Sequence, residues 1–243
     1  MEFSVRRTEM GDMMTILVTG ATANIGRKVV DHLVAAGAGA VRALTTDPAR
    51  AALPEGVEVA LGYLREPETL PAALEGVSAM YLAPTPDTVE EVLRLAREAG
   101  VERVVDLSGE HESWWGGVAK AVEASGPAWT HLSPGDFMEN TLSWAPQIIA
   151  TDAVREPYPE GRSTPIAMDD IPRVAAVALT TPGHEGRSYP LTGRRCSPAS
   201  TWRSGSGRPA GSRWSSCRSA GTRPSRSCGR RWAAARSGTW TRS

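Results

Sequence analysis

Short apolar runs alternate along this chain with stretches whose apolar positions recur at helical spacing. Ile16-Leu17-Val18 forms the first run, and Val29, Val30, Leu33 and Val34 then share one helical face. Val41–Thr45 predicts a second strand, and Thr46-Asp47-Pro48-Ala49-Arg50 a turn into a short helix. A third strand is expected over Val57–Leu61, a short helix over Pro67–Leu74 and a fourth strand over Val77–Leu82. Asp87 and Glu90 have capping-box spacing for a helix over Thr88–Ala99. Arg103–Leu107 reads as a fifth strand, 115–125 as a helix and Trp129–Leu132 as a sixth strand. This βαβ rhythm predicts an α/β fold, a doubly wound parallel sheet with helices on both faces.

Past Gly135 the rhythm changes. Phe137–Ile149 predicts a helix interrupted near Pro146, and Val154–Ile166 short strands and turns. Asp170–Leu179 predicts a helix, with Asp170 as its N-cap, and Ser188–Leu191 a strand. The expectation is a nucleotide-sized domain over 14–193, with a small C-terminal substrate lobe mainly over 136–193. In this fold ligands bind at the carboxyl ends of the strands, where such a lobe would lie.

The stretch TILVTGATANIG joins the first strand to the first helix. A helix N-terminus offers unpaired N–H groups and partial positive charge, which suit a pyrophosphate. Gly20, Ala21, Thr22, Ala23, Asn24, Ile25 and Gly26 are the residues placed to hold it. The spacing is Gly-x5-Gly, with Ala23 where the dinucleotide fingerprint has a middle glycine. Alanine fits there when its φ is negative.

Composition changes this picture at one point. The 243 residues carry 27 Lys+Arg against 27 Asp+Glu. Twelve of the basic residues, all Arg, and no acidic residue fall in 194–243, so that segment is +12 and the rest −12. Cys196, Cys217 and Cys228 and half the tryptophans also lie there, without one Leu, Ile, Val, Met or Phe. A basic nucleic-acid-binding arm is one reading. The preferred one is a frameshifted translation of a G/C-rich gene, which cannot bury a core and is expected to be disordered. No run reaches membrane-spanning length, and Met1–Asp12 lacks the apolar stretch of a signal peptide. Residues 1–13 are therefore read as an extension, and the location as cytoplasmic. His32, His111, His131 and His184 are scattered, so no metal site is expected.

TGATANIGRKVV, VRALTTDPAR, GVERVVDLSG, ASGPAWTHLSPGDFMEN, and PIAMDDIPRVAAVAL followed by YPLTG occur in that order. Together they resemble the NmrA-like branch of the atypical short-chain dehydrogenases. The resemblance implies a Rossmann domain binding NADP or NAD, NADP being preferred, and either redox catalysis or dinucleotide sensing. It places the pyrophosphate at Thr19–Gly26 and the adenosine end near Thr45 and Thr46. Leu82, Ala83 and Pro84 would line the path to the nicotinamide ribose. Ser108 and Gly109 would border the nicotinamide, with Pro134 and Gly135 also facing the cofactor. Phe137, Met138 and Asn140 would shape the substrate pocket. Thr46 stands where NADP-using members commonly have arginine, leaving Arg50 or Arg42 to meet a 2′-phosphate; Asp47 is the nearest carboxylate for an NAD ribose. Tyr63 follows Gly62 where the family has Asp.

The Tyr-x3-Lys pair of the short-chain dehydrogenases is absent, because Gly116 stands four residues before Lys120. Lys120 is a weak catalytic candidate beside its reading as a solvated lysine. His111 is a second, as a general acid, beside its reading as an exposed loop histidine. Trp114-Trp115 either floor an aromatic substrate pocket, with Trp115 the pocket residue, or pack in the core or an interface. The leading expectation is an NAD(P)H-dependent oxidoreductase reducing a small carbonyl or quinone. The alternatives are a dinucleotide-sensing regulator and a protein that binds nucleic acid through its tail.

Overall fold

The computed structural model describes residues 14–108, 116–155 and 161–194, and the backbone of 197–198. In chain order the elements are β1 (Thr15–Val18), α1 (Asn24–Ala35), β2 (Ala40–Thr45), β3 (Glu58–Leu61), α2 (Pro71–Leu74), β4 (Val77–Leu82), α3 (Val89–Glu98), β5 (Arg103–Leu107), α4 (Gly116–Ala124) and β6 (Ala128–Pro134). There follow α5 (Ala145–Thr151), β7 (Arg162–Ser163), α6 (Asp170–Thr180), β8 (Arg187–Leu191) and β9 (Ser197–Pro198). Single 3-10 turns span Pro48–Arg50 and Pro67–Thr69, and a longer one Met138–Trp144.

Seven strands form one parallel sheet in the order β3-β2-β1-β4-β5-β6-β8. The chain winds outward from β1 to β3, then crosses back to β4 on the other side of β1. The strand order thus reverses between β1 and β4, where this fold opens a ligand crevice. Side chains alternate across the sheet. Leu17, Leu44, Met80, Leu82 and Val104 share a core with Leu74 of α2, Val92, Leu93 and Ala96 of α3 and Val118 and Val122 of α4. Val29, Val30 and Leu33 of α1 and Ile171, Ala175 and Leu179 of α6 are buried as well, and these two helices pack together. Each fully buried Leu or Ile contributes about 1.5–3 kcal/mol from the apolar surface it hides. Lys28 of α1 adds a 2.6 Å ion pair with Asp169 at the start of α6.

The chain divides into two compact units. Among the described residues, one comprises those from 14 to 134 and Met168–Leu191; the other comprises those from Gly135 to Ala167 and from Thr192 to Arg194, with the backbone of 197–198. Met168–Leu191 therefore groups with the sheet. The physical reason is β8, which pairs with β6 from Thr130↔Arg187 to Pro134↔Leu191. In the second unit Phe137 bridges Ile166, and β7 pairs antiparallel with β9. The helix expected over 137–149 is a 3-10 segment followed by α5, with Pro146 in the first turn of α5, where its missing N–H costs nothing.

Two caps differ from expectation. Thr88, not Asp87, precedes α3, and its hydroxyl is taken by Leu64 O and Thr85. Asp170 lies inside the first turn of α6, and Asp169 at the N-cap position makes no cap bond because Lys28 and Arg173 hold its carboxylate. No helix among the described residues is long and apolar enough to cross a membrane.

Candidate cofactor site

The carboxyl ends of β1 and β4 are fastened to one another around Thr19. This side chain is fully buried; its hydroxyl donates to Tyr81 O at 2.9 Å and accepts from Ala83 N at 2.8 Å. The bonds fix Leu82, Ala83 and Pro84 beside the turn that follows β1. Gly20 turns there with φ +60, and a Cβ on it would lie 3.2 Å from the Ala83 Cβ. Ala23 N bonds Gly20 O at 2.9 Å, which closes the turn. Ala23 itself is extended, with φ −88 and ψ 170, so its methyl group is accommodated.

Helix α1 begins directly after this turn, with no side-chain cap and no acidic residue in its first turn. Its first N–H groups have no helical partner and face outward with the positive end of the helix dipole. A Cβ on Gly26 would stand 2.2 Å from Gly20 O, so only glycine lets the helix start this close to the turn. Thr22, Ala23 and Asn24 are exposed along the rim, while Ala21 is buried and Ile25 half-buried. The arrangement is a cradle of backbone donors that can hold a pyrophosphate.

At the adenosine end Thr45 is buried and its Oγ1 accepts from Asp47 N, while Thr46 is exposed. Asp47 accepts from Arg50 N, which orients the 3-10 turn. Arg42 is committed elsewhere: its guanidinium donates to Ala73 O and Glu75 O and lies 2.8 Å from Glu58. Arg50 is thus the cation left beside Thr46. Tyr63 is partly exposed at the end of β3.

At the other end Ser108 closes β5, where its N–H bonds Leu132 O at 3.1 Å. Its side chain is buried, and its Oγ has no partner among the described residues. An orphan hydroxyl at the carboxyl end of a central strand is a group that a ligand can satisfy. Pro134 ends the neighbouring strand β6. Gly109, His111 and Trp115 lie outside the described residues. Lys120 is exposed on α4.

Phe137, Met138 and Asn140 come together within the second unit. Asp136 accepts from Phe137 N at 2.9 Å and from Asn140 Nδ2 at 2.6 Å, and Met138 N bonds Ile166 O. Asp136 thus orders the pocket residues that the sequence named without it; a carboxylate directly after Pro-Gly was the available signal.

A buried cluster in the sheet unit also escaped the sequence reading. Asp106 of β5 and His131 of β6 are register partners, with Oδ2 and Nδ1 2.6 Å apart. His131 Nε2 lies 3.3 Å from Glu123 of α4, and Trp129 stacks on the ring. Burial works against the imidazolium, but hydrogen bonds to Asp106 and Glu123 outweigh it, so the His131 pKa is raised. Burial, then the Asp106 charge, pushes the Tyr81 phenol well up. The signal was one acid inside the apolar run Arg103–Leu107.

The profile of the NAD(P)H-binding family matches residues 20–182. The chain is 39% identical over 194 residues to the NAD(P)H azoreductase of Xenophilus azovorans, covering 73% of this chain and 68% of that protein. It is 40% identical over 199 residues to the (4-alkanoyl-5-oxo-2,5-dihydrofuran-3-yl)methyl phosphate reductase of Streptomyces griseus, covering 73% and 67%. Among solved structures, an NADPH-dependent quinone oxidoreductase from Escherichia coli superposes with a TM-score of 0.69 at 26% identity, covering 76% of this chain and 70% of that one. A matching family profile over most of the sheet unit, a parallel Rossmann sheet and an open glycine turn at its switch point agree: the chain belongs to the NAD(P)H-binding family.

Proposed function

We propose that this chain is an NAD(P)H-dependent oxidoreductase that reduces small, electron-poor acceptors of the quinone or conjugated carbonyl type. The observation that carries this reading is the pairing of two features on one sheet edge. The uncapped α1 N-terminus can bind a pyrophosphate, and the unpartnered Ser108 hydroxyl stands where a nicotinamide would end. The relatives support the acceptor class, being an azoreductase, a reductase of an oxo-dihydrofuran phosphate and a quinone oxidoreductase.

In this reading the backbone donors at Gly20–Gly26 bind the pyrophosphate. Leu82, Ala83 and Pro84 line the ribose path, and Arg50 favours the 2′-phosphate of NADP. Bound NAD(P)H supplies a hydride. Ser108 orients the acceptor oxygen. The test is oxidation of NADPH and NADH, followed by nicotinamide absorbance, across a panel of quinones, azo dyes and enones. Turnover with a quinone is expected. Tight nucleotide binding with no turnover on any acceptor would instead favour a dinucleotide sensor, the reading that the missing Tyr-x3-Lys pair supports.

A further inference from the structure

Three titratable side chains outside the cofactor cradle form a line through the sheet unit. Glu123 on α4 is one-third exposed, at 34%, whereas His131 and Asp106 are sealed from solvent, at 1% and 0%. His131 lies between the two acids, joined to Asp106 Oδ2 and close to Glu123 Oε1. The inner end is unfinished. Asp106 Oδ1 is buried without a partner among the described residues, and so is Ser108 Oγ. Ser108 directly follows β5, two residues after Asp106, and its N–H continues the pairing with β6 at Leu132 O, so the alternation of the strand carries both side chains to the same face.

We propose that Glu123, His131 and Asp106 form a proton line that recharges Ser108, and that Ser108 is the residue that protonates the acceptor oxygen. The proposal rests on the reductase reading above. A purely structural pair would leave neither inner oxygen unsatisfied, since an unmet buried polar group costs about 1–3 kcal/mol. Catalytic hydrogen bonds are often open in the free enzyme and tighten in the complex.

The step balances as follows. The acceptor takes a hydride from the dinucleotide, and its oxygen forms an O–H bond as the Ser108 O–H bond breaks. His131 Nδ1 passes its proton to the Asp106 carboxylate as the N–H bond breaks, and the resulting carboxyl group passes a proton to the Ser108 oxygen. The pair goes from carboxylate plus imidazolium, which hold one mobile proton, to carboxylate plus neutral imidazole. His131 then takes a proton from solvent on its Glu123 side. The sum is acceptor, NAD(P)H and one proton giving reduced acceptor and NAD(P)⁺.

Charged groups that face His131 include Asp106 from β5 and Glu123 from α4, and β8 places the neutral Ser188 at the paired position. The test compares Glu123→Gln, His131→Gln and Ser108→Ala with the parent chain. Glu123→Gln is half-surface and keeps the test usable where the buried His131→Gln does not fold. Glu123→Gln and Ser108→Ala are each expected to lower kcat about ten-fold or more, with unchanged nucleotide binding. For Glu123→Gln the solvent deuterium isotope effect on kcat should rise. Without turnover, NMR titration of the His131 ring should give a lower midpoint with NADP⁺ bound than with NADPH, because the oxidised nicotinamide carries a positive charge. Parent-like kcat and isotope effect in Glu123→Gln, or equal His131 midpoints with the two nucleotides, would overturn the line while leaving the reductase reading intact. A parent chain that oxidises NAD(P)H with no acceptor would remove the reductase reading and this proposal with it.

Discussion

A Cβ on Gly26 would stand 2.2 Å from the carbonyl oxygen of Gly20, both atoms being fixed by backbone. That distance makes the start of α1 and the turn after β1 a single rigid piece. Gly26→Ala must push the helix away from the turn, which costs about 1–3 kcal/mol or more. NADPH affinity should fall at least ten-fold, read by nucleotide fluorescence titration, and Gly26→Glu should abolish binding. Gly37 is the control: its φ is +63, but nothing lies within 4 Å of an added Cβ. Gly37→Ala should cost about 1 kcal/mol of backbone strain and leave binding unchanged. Parent-like binding in Gly26→Glu would refute the assigned cradle.

Thr19→Val tests the fastening of β1 to β4. Valine keeps the shape but removes the oxygen that accepts from Ala83 N and donates to Tyr81 O. The half-buried Ala83 N–H loses its acceptor, at up to about 1–3 kcal/mol. The melting temperature should drop and the KM for NADPH rise, because residues 82–84 lose their anchor. Thr19→Ser should restore most of both.

The strand and helix order was legible because short continuous apolar runs alternate with stretches of period 3.6, as in a parallel sheet covered on both faces. Gly20 and Gly26 were legible for the same reason: their roles depend on local turn geometry. The caps were not. Whether Asp87 or Asp170 caps a helix depends on competing partners, and Lys28 arrives from 141 residues away. The pairing of β8 with β6 is likewise a long-range choice that local spacing does not report. Asp106, His131 and Glu123 meet only through strand register and helix packing, which sequence spacing does not report.

Arg42 and Arg50 should separate cleanly. Arg42 is tied to Ala73 O, Glu75 O and Glu58, so Arg42→Ala should lower the melting temperature and leave the ratio of NADPH to NADH efficiency unchanged. Arg50 stands exposed beside Thr46. If it meets the 2′-phosphate, Arg50→Ala should raise the KM for NADPH about ten-fold and spare NADH, since a charge-assisted phosphate bond is worth about 1.5–3 kcal/mol. Equal losses with both nucleotides would remove Arg50 from that role.

The stability profile should carry the sign of His131. Its folded pKa is raised, so the native state holds a proton that the unfolded chain releases. That contribution is complete below about pH 6.5, the unfolded value, and is lost as pH rises through the folded one. Glu91, Asp169 and Glu185 have lowered pKa values, so their contributions are lost only at acid pH, and Tyr81 titrates far above. Urea unfolding between pH 6 and 9 should therefore show stability falling with pH. His131→Gln should flatten that slope; a parent-like slope in the variant would assign it elsewhere.

The last prediction concerns the change of composition after YPLTG. Gly193 fits its place closely: its N–H bonds Thr164 O at 2.9 Å, and a Cβ on it would meet Pro165 O. The chain to that point therefore carries residues selected for their positions. In the same unit Leu142 is 71% and Ile149 86% exposed, large apolar side chains of the kind a further packed segment would cover. The residues from 194 onward contain no aliphatic side chain larger than alanine apart from proline, so they are poorly suited to cover it. We infer that the gene changes reading frame near codon 194. Its nucleotide sequence should show a neighbouring frame open to a later stop, encoding an amphipathic helix and then a strand. A chain carrying that frame should melt higher and turn over faster than this one. A neighbouring frame crowded with stop codons would end the inference and return the basic tail to consideration as a nucleic-acid-binding arm, which truncation at Gly193 and a DNA-binding titration would then decide.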